Sequence, residues 1–265
     1  MNNNIQKIDK VDGLIKNILF GPVKSRRFGV SLGINLLPAN NKICSFNCPY
    51  CECGWTDIPE SKTLSNTLEF PTRDNIKKAL NVSLQQYKSS NNPSIEHITL
   101  AGNGEPTMHP DFPDIINDIR EIVDCFYPDA KFVLLTNGLH LDNDKIKKCL
   151  TKIHSVNVKL DAANQKIYKK INGPISGSFD DLILQIKTLK NFNIQTMFIQ
   201  GAISNIEEDH LTEWFSLIKL LAPNFVQIYS IDRSTPTDKV KKVPIELLEN
   251  IKNNVLSMGI SAQCY

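Results

Sequence analysis

Three cysteines, Cys44, Cys48 and Cys51, stand at spacings of three and two intervening residues in Cys44-Ser-Phe-Asn-Cys48-Pro-Tyr-Cys51. Side chains so spaced can converge on one small inorganic centre. Thiolates are the ligands that iron-sulfur clusters require, and three of them on a four-iron cubane leave one iron without a protein ligand. Zinc is the competing reading, because zinc sites favour four ligands, commonly from two CxxC-like pairs. The nearest fourth thiol, Cys53, follows Cys51 after a single residue and lies too close in sequence to close a tetrahedron comfortably. A non-enzymatic zinc-binding interaction protein is thus the alternative to a cluster enzyme.

With the aromatic Tyr50 directly before the third cysteine, the triplet resembles the signature of the radical S-adenosylmethionine (radical SAM) superfamily. That resemblance implies a 4Fe-4S cluster on Cys44, Cys48 and Cys51 whose open iron chelates the amino and carboxylate groups of S-adenosyl-L-methionine. It also implies reductive cleavage of the sulfonium to a 5'-deoxyadenosyl radical, with the electron supplied by an external donor such as flavodoxin or ferredoxin. A second anchor is Gly102-Asn103-Gly104-Glu105-Pro106, similar to the GGE motif that binds the amino group of the cosubstrate in this family. Glycines there expose carbonyls that can accept from an ammonium, and Glu105 adds negative charge. Asn103 stands where the family has its first glycine, and Asn tolerates unusual backbone angles.

Four segments together, Gly21 to Asn35, Gly102 to Thr107, Val158 to Ala162 and Val226 to Ser230, resemble the radical SAM subgroup that holds the wyosine synthases, which modify tRNA. The resemblance covers residues 20 to about 240 and implies a peptide, protein or tRNA as the molecule that loses hydrogen. A glycyl-radical-enzyme activase is a second enzymatic alternative, although such short enzymes lack the Ser25-Arg-Arg27 to Asn35 segment.

These residues need strands to present them, and the chain supplies strands at intervals. Apolar residues alternate with small or polar ones from Val30 to Leu36, which predicts a strand leading into the cysteine loop. Phe20-Gly-Pro-Val23 reads as a turn after an extended lead-in over residues 1 to 20. Further strands are expected at 97 to 102, 131 to 138, 154 to 162, 194 to 201 and 225 to 232, and the tail after 260 is expected either to form a short strand or to lie over the mouth. Helices are expected from Thr72 or Asp74, and at 111 to 125, 142 to 151, 164 to 171, 178 to 191, 206 to 221 and 244 to 258. Strands alternating with helices predict an α/β fold, a partial (β/α)6 TIM-like barrel. One domain is expected over residues 1 to 265, with the core at about 20 to 240 and a C-terminal helix and tail.

Barrel enzymes carry their chemistry at the carboxyl ends of the strands. Several polar residues fall there, and each has a place in the expected site. Asn137 could bond the ribose or carboxylate of a bound nucleoside. Lys159 and Asp161 share one face of a strand, Asp161 facing ribose hydroxyls and Lys159 serving as its partner or as a ligand to the methionyl carboxylate. Gln200 is a further polar strand end, and backbone groups from Ile228 to Ser230 would suit an adenine edge. Arg233 could face substrate, while Cys53, Cys264 or Tyr265 could donate hydrogen or an electron.

Composition bounds the rest. The chain has 265 residues, 41% hydrophobic and 22% charged, enough to bury a large core. Its net charge of +2 from 30 basic and 28 acidic residues gives no global field for nucleic acid. Lys24-Ser-Arg26-Arg27 and Lys239-Val-Lys241-Lys242 read as local solvated faces. Seven cysteines without a disulfide-like framework favour a reducing cytoplasm, and neither a leader-like N-terminus nor a membrane-spanning apolar run is seen.

Overall fold

The computed structural model describes residues 9–56, 68–90 and 92–265, so residues 1 to 8 of the lead-in expected over 1 to 20 lie outside the described residues. The chain divides into two compact units. One comprises Met1–Cys44, Asp57–Thr136 and His140–Val156; the other comprises Ser45–Thr56, Asn137–Leu139 and Asn157–Tyr265.

In the first unit a small hairpin pairs β1 (Lys10–Val11) with β2 (Leu14–Ile15) across Asp12 and Gly13, both at positive φ. Next come β3 (Leu19–Ser25) and β4 (Gly29–Ile34), which run antiparallel. β4 then pairs in parallel with β5 (His97–Leu100), and β5 with β6 (Lys131–Thr136). Ile98, Leu100, Phe132, Val133 and Leu134 are all buried, the continuous apolar run that a parallel strand covered on both faces demands.

Among the described residues three α-helices accompany these strands: α1 (Arg73–Ser89), α2 (Phe112–Phe126) and α3 (Asp144–Leu150). α1 starts where expected because the Thr72 hydroxyl accepts from Asn75 N–H at 3.2 Å, and its buried stripe is Ile76, Leu80 and Leu84 at fourth positions. α2 buries Phe112, Ile115, Ile116, Ile119 and Val123, each contributing about 2 kcal/mol as an upper bound on apolar burial. Buried within the same helix, Asp118 pairs with Arg73 and lies 3.3 Å from the Lys77 ammonium, which ties α1 to α2.

Phe20-Gly-Pro-Val23 is a correction to the sequence reading, since it lies inside β3 and makes no turn. The register against β4 shifts between Phe20 and Val23, and Pro22, which has no N–H for a ladder, sits at that irregularity. Gly21 there has φ +95°. The Gly-Pro pair marked a bulge in an edge strand, which carries the same residue types as a turn.

The second unit holds parallel strands in the order β7 (Ser155–Lys159), β8 (Asn193–Gly201), β9 (Phe225–Ser230) and, beyond β10 in sequence, β11 (Ser261–Cys264). The tail takes the strand alternative as β11, paired residue for residue with β9 from Ser261 opposite Phe225 to Cys264 opposite Ile228. β10 (Val240–Lys242), within the expected solvated basic face, is an edge strand, antiparallel to the end of β8 with Lys241 opposite Gln200. Lys241 and Lys242 remain exposed on it, as suits an edge.

Four helices complete this unit: α4 (Gln165–Ile171), α5 (Phe179–Lys187), α6 (Glu208–Leu221) and α7 (Ile245–Ser257). α5 opens on a capping box between Ser178 and Asp181. It stops at Lys187, short of the expected 191, because Thr188 N–H and Leu189 N–H turn back three residues to the carbonyls of Gln185 and Ile186. Trp214 of α6 is fully buried and donates from its ring nitrogen to the Leu160 carbonyl at 3.3 Å. Among the described residues no helix is long and apolar enough to cross a membrane.

Candidate active site

The second unit takes up the cysteine loop from Ser45 onward, with Cys48 and Cys51, as a sequence of tight turns held at both ends. Cys51 N–H donates to the Cys48 carbonyl at 3.1 Å, and Gly54 N–H donates to the Cys51 carbonyl at 3.0 Å. Thr56 closes the loop, its N–H on Asn47 Oδ1 and its hydroxyl on the Phe46 carbonyl. The segment after α4 runs alongside. Asn47 N–H donates to the Asn172 carbonyl and Ile175 N–H to the Ser45 carbonyl, each at 2.8 Å. Gly173, at φ +49°, permits this approach, since a Cβ on it would lie 2.9 Å from the Asn47 carbonyl oxygen.

Beside Cys48 lies a charged cluster in which Asp161 is fully buried and Lys159 largely so. Asp161 takes the Tyr50 hydroxyl and the Asn172 amide (2.8 Å) on Oδ2 and the Met197 N–H (2.8 Å) on Oδ1. The Lys159 ammonium lies 3.6 Å from Asp161 Oδ2, donates to the Tyr229 hydroxyl at 3.1 Å and sits over the Tyr50 ring at 5.0 Å from its centroid. The Asn172 amide reaches within 3.6 Å of the Cys48 sulfur. Burial alone would push the Lys159 ammonium down, but Asp161, Tyr229 and Cys48 around it hold it above the usual lysine range. Burial first, then the neighbouring Asp161, raises the Tyr50 hydroxyl well above the ordinary tyrosine value, so it stays protonated and donates. Asn205, fully buried, braces the cluster by donating to the Asp161 and Met197 carbonyls and accepting from Ile199 N–H.

Other expected site residues of this unit make separate contacts of their own. Asn137 is buried, donates to the Ser45 hydroxyl at 2.8 Å and accepts from Leu139 N–H. Gln200 donates to the Lys242 carbonyl at 2.7 Å. Arg233 pairs with Glu52 at 2.6 Å on an exposed surface, between the triplet and Cys53 in sequence. Ile228 has strands on both sides and gives its carbonyl to Tyr265 N–H at 3.0 Å, so that oxygen belongs to the sheet. The Cys264 thiol donates to the Leu248 carbonyl of α7 at 3.1 Å, and burial pushes it up to about 11.

The glycine loop belongs to the first unit. Glu105 is buried and one of its oxygens, Oε1, accepts from Thr107 N–H, Thr107 hydroxyl (2.6 Å) and Thr136 hydroxyl (2.7 Å). Asn103 is fully committed to its own unit. Its side chain accepts from Ile15 N–H and donates to the Ile15 and Pro38 carbonyls, and its backbone pairs with Asn35 Oδ1 and Ile43 N–H. Asparagine in place of glycine is explained by this role, which fastens the β2 end of the hairpin to the loop. The two glycines are required by packing: a Cβ on Gly102 would lie 2.2 Å from Asn35 Oδ1, and one on Gly104 would lie 1.8 Å from the Ile43 carbonyl oxygen.

The donor set suits an iron-sulfur cluster in chemical type. No cysteine is in a disulfide, Cys44 and Cys48 are buried and Cys51 is half-buried, and an amide N–H is directed at the Cys48 sulfur. Among the described residues no three His, Cys, Asp or Glu side chains are gathered as a metal cage, so the spacing in the sequence carries the ligand assignment. Sequence reasoning missed Asn172 and Asn205. Asn172 precedes Gly173 at the end of α4, where Asn-Gly signals only a helix stop.

Comparison with known proteins places this arrangement. The family model for the radical SAM superfamily matches residues 41–218, more than half of the chain. GTPase Obg of Brachyspira hyodysenteriae is 30% identical over 239 residues, covering 88% of this chain and 33% of that protein, so the chain spans about one third of this relative. Among solved structures, Streptococcus suis SuiB bound to S-adenosylmethionine superposes with a TM-score of 0.63 at 15% identity over 88% of this chain and 50% of that one. TYW1 with a lysine-pyruvate adduct gives 0.59 at 15% identity over 84% and 72%. At such identities the structures share the fold, the α/β partial TIM-like barrel of the radical SAM core. The chain therefore belongs to the radical SAM superfamily, as an enzyme of a family whose cofactors are a 4Fe-4S cluster and S-adenosyl-L-methionine.

Proposed function

We propose that this enzyme cleaves S-adenosyl-L-methionine reductively and removes a hydrogen atom from a macromolecular substrate, a peptide, protein or tRNA. Cys44, Cys48 and Cys51 would hold the cluster, which with the bound cosubstrate supplies a one-electron cleavage and a 5'-deoxyadenosyl radical. The observation that carries the reading is the charged cluster of Lys159, Asp161 and Tyr50 buried against Cys48. A fully buried carboxylate paired with an ammonium held largely out of solvent costs desolvation energy that an apolar core would avoid, and such groups collect at functional sites.

The chain's residues would act as follows. Glu105, fixed by Thr107 and Thr136, offers negative charge to the cosubstrate ammonium, and Gly102 and Gly104 shape the loop that presents it. Lys159 brings positive charge for the methionyl carboxylate, with Asp161 as its counter-ion and a candidate for the ribose hydroxyls. Asn137 and Gln200 supply further polar contacts. Arg233, paired with Glu52 near the triplet, is the residue proposed to meet substrate. An external flavodoxin or ferredoxin would deliver the electron, in a reducing cytoplasm that keeps the thiols available.

Anaerobic reconstitution with iron and sulfide, followed by reduction in the presence of S-adenosyl-L-methionine, tests this. A brown protein that forms 5'-deoxyadenosine is expected, with both properties lost when Cys44, Cys48 or Cys51 becomes Ala. A wild-type protein that remains colourless, or a reduced one that yields no 5'-deoxyadenosine, overturns it. Deuterium transfer into 5'-deoxyadenosine from a labelled peptide or tRNA identifies the substrate class.

A further inference from the structure

We propose that Asn172 is a positioning residue that tunes the cluster, by donating a hydrogen bond to the Cys48 sulfur. The inference rests on Cys48 being a cluster ligand, as proposed above, and adds a residue that the cysteine motif does not contain.

Asn172 has two amide hydrogens, and the structure gives each a direction. One points to Asp161 Oδ2 at 2.8 Å, a carboxylate that only accepts and thereby fixes which end of the amide faces it. That leaves the other on the side of Cys48 Sγ at 3.6 Å and the Tyr50 hydroxyl at 3.4 Å. Tyr50 already gives its own hydrogen to Asp161, so the sulfur is the acceptor with the larger demand once it is a thiolate. The side chain is 1% exposed, which excludes competing water.

The backbone around Asn172 keeps this geometry. Its carbonyl accepts from Asn47 N–H at 2.8 Å and, while Cys48 is a thiol, from Cys48 Sγ at 3.7 Å, Gly173 carbonyl also accepts from Asn47 at 3.1 Å, and Ile175 N–H reaches Ser45 carbonyl at 2.8 Å. The end of α4 is therefore laced to the residues that precede Cys48. Asn172 joins the cysteine loop to the Asp161, Tyr50 and Lys159 cluster through one planar group, so the sulfur and the charged cluster are held in fixed relation.

A hydrogen bond to a cluster thiolate withdraws electron density from the sulfur and favours the reduced state, in which the cluster carries one more negative charge. Removing the donor is expected to make the cluster harder to reduce. Asn172→Leu keeps the branched shape and the number of side-chain heavy atoms without a donor, though it is bulkier, Asn172→Ala removes the group with less crowding, and Asn172→Gln restores an amide.

The full chain, reconstituted anaerobically, is titrated with a reductant while the reduced cluster is followed by electron paramagnetic resonance. The thermal stability of each protein before reconstitution is measured in parallel. For Leu and Ala we expect the ratio of reduced to oxidised cluster at a fixed solution potential to fall about tenfold, equal to about 59 mV for one electron. Gln is expected to recover most of that ratio. An unchanged ratio in the variants that assemble a cluster overturns the proposal. So does failure of both donor-free variants to assemble one while Gln succeeds, because the amide would then serve assembly and not potential. A wild-type protein that takes up no cluster is a different result, since it removes the underlying functional reading.

Discussion

Gly104 and Ile43 form an isolated parallel bridge, in which the Ile43 carbonyl accepts from Glu105 N–H at 2.8 Å and Ile43 N–H donates to the Asn103 carbonyl at 2.9 Å. Ile43 directly precedes the first cysteine, so one short bridge aligns the start of the cysteine motif with the glycine loop.

Gly104→Ala is expected to destabilise the protein by about 3 kcal/mol, because φ is +137° there and the new Cβ would lie 1.8 Å from a backbone oxygen that cannot move alone. Urea denaturation of the variant checks this. Gly54→Ala, where φ is +75° but nothing lies within 4 Å of the added carbon, should cost less.

Replacing Asn103 by the glycine usual in the family should weaken this protein. Three side-chain hydrogen bonds to Ile15 and Pro38 would vanish and leave buried backbone groups unpaired, at a cost of about 2 kcal/mol. A chemical denaturation midpoint at or above wild type for Asn103→Gly would contradict this account of the substitution.

Asp161→Ala removes the counter-ion of Lys159 and an acceptor of Tyr50, Asn172 and Met197. Loss of one member of a buried ion pair costs about 3 kcal/mol or more. A second change, Lys159→Met, should return part of that stability by removing the stranded charge, which a double-mutant cycle reads directly.

Cysteine reactivity should follow burial. Burial pushes the Cys149 thiol up to about 12 and that of Cys264 to about 11, whereas Cys125 is exposed. Brief alkylation of the folded protein near pH 8, mapped by mass spectrometry, is expected to modify Cys125 well before Cys149 or Cys264.

Stability should fall as the solution is acidified through the histidine range. Burial depresses His109 and His154, and both are held neutral by backbone donors, Asp111 N–H on His109 Nδ1 and Phe132 N–H on His154 Nδ1. A depressed folded value means that the unfolded chain binds the proton first. The stabilisation is full above about pH 6.5 and declines as pH drops below it. Melting temperatures between pH 8 and pH 5 check this, and His109→Gln should flatten the decline.

The order of the parallel strands and the helices, the Thr72 cap and the cysteine and glycine motifs were legible in the chain, because periodicity, capping and ligand spacing are local properties. Gly-Pro at 21 and 22 misled for the same reason: an edge-strand bulge and a turn use the same residues, and only the pairing with β4 distinguishes them. Val240 to Lys242 was equally ambiguous, since three residues carry no period and became a strand only by meeting β8.

The cluster around Asp161 shows the division most clearly. That Lys159 and Asp161 share a face follows from strand alternation alone. That Asn172, 11 residues on from Asp161, donates to its carboxylate and reaches Cys48, 124 residues back, was decided by tertiary structure. An amide at a helix end carries no mark of its distant acceptor. Its acceptor is chosen when α4 packs, because a buried carboxylate and a buried sulfur must each find a donor within reach.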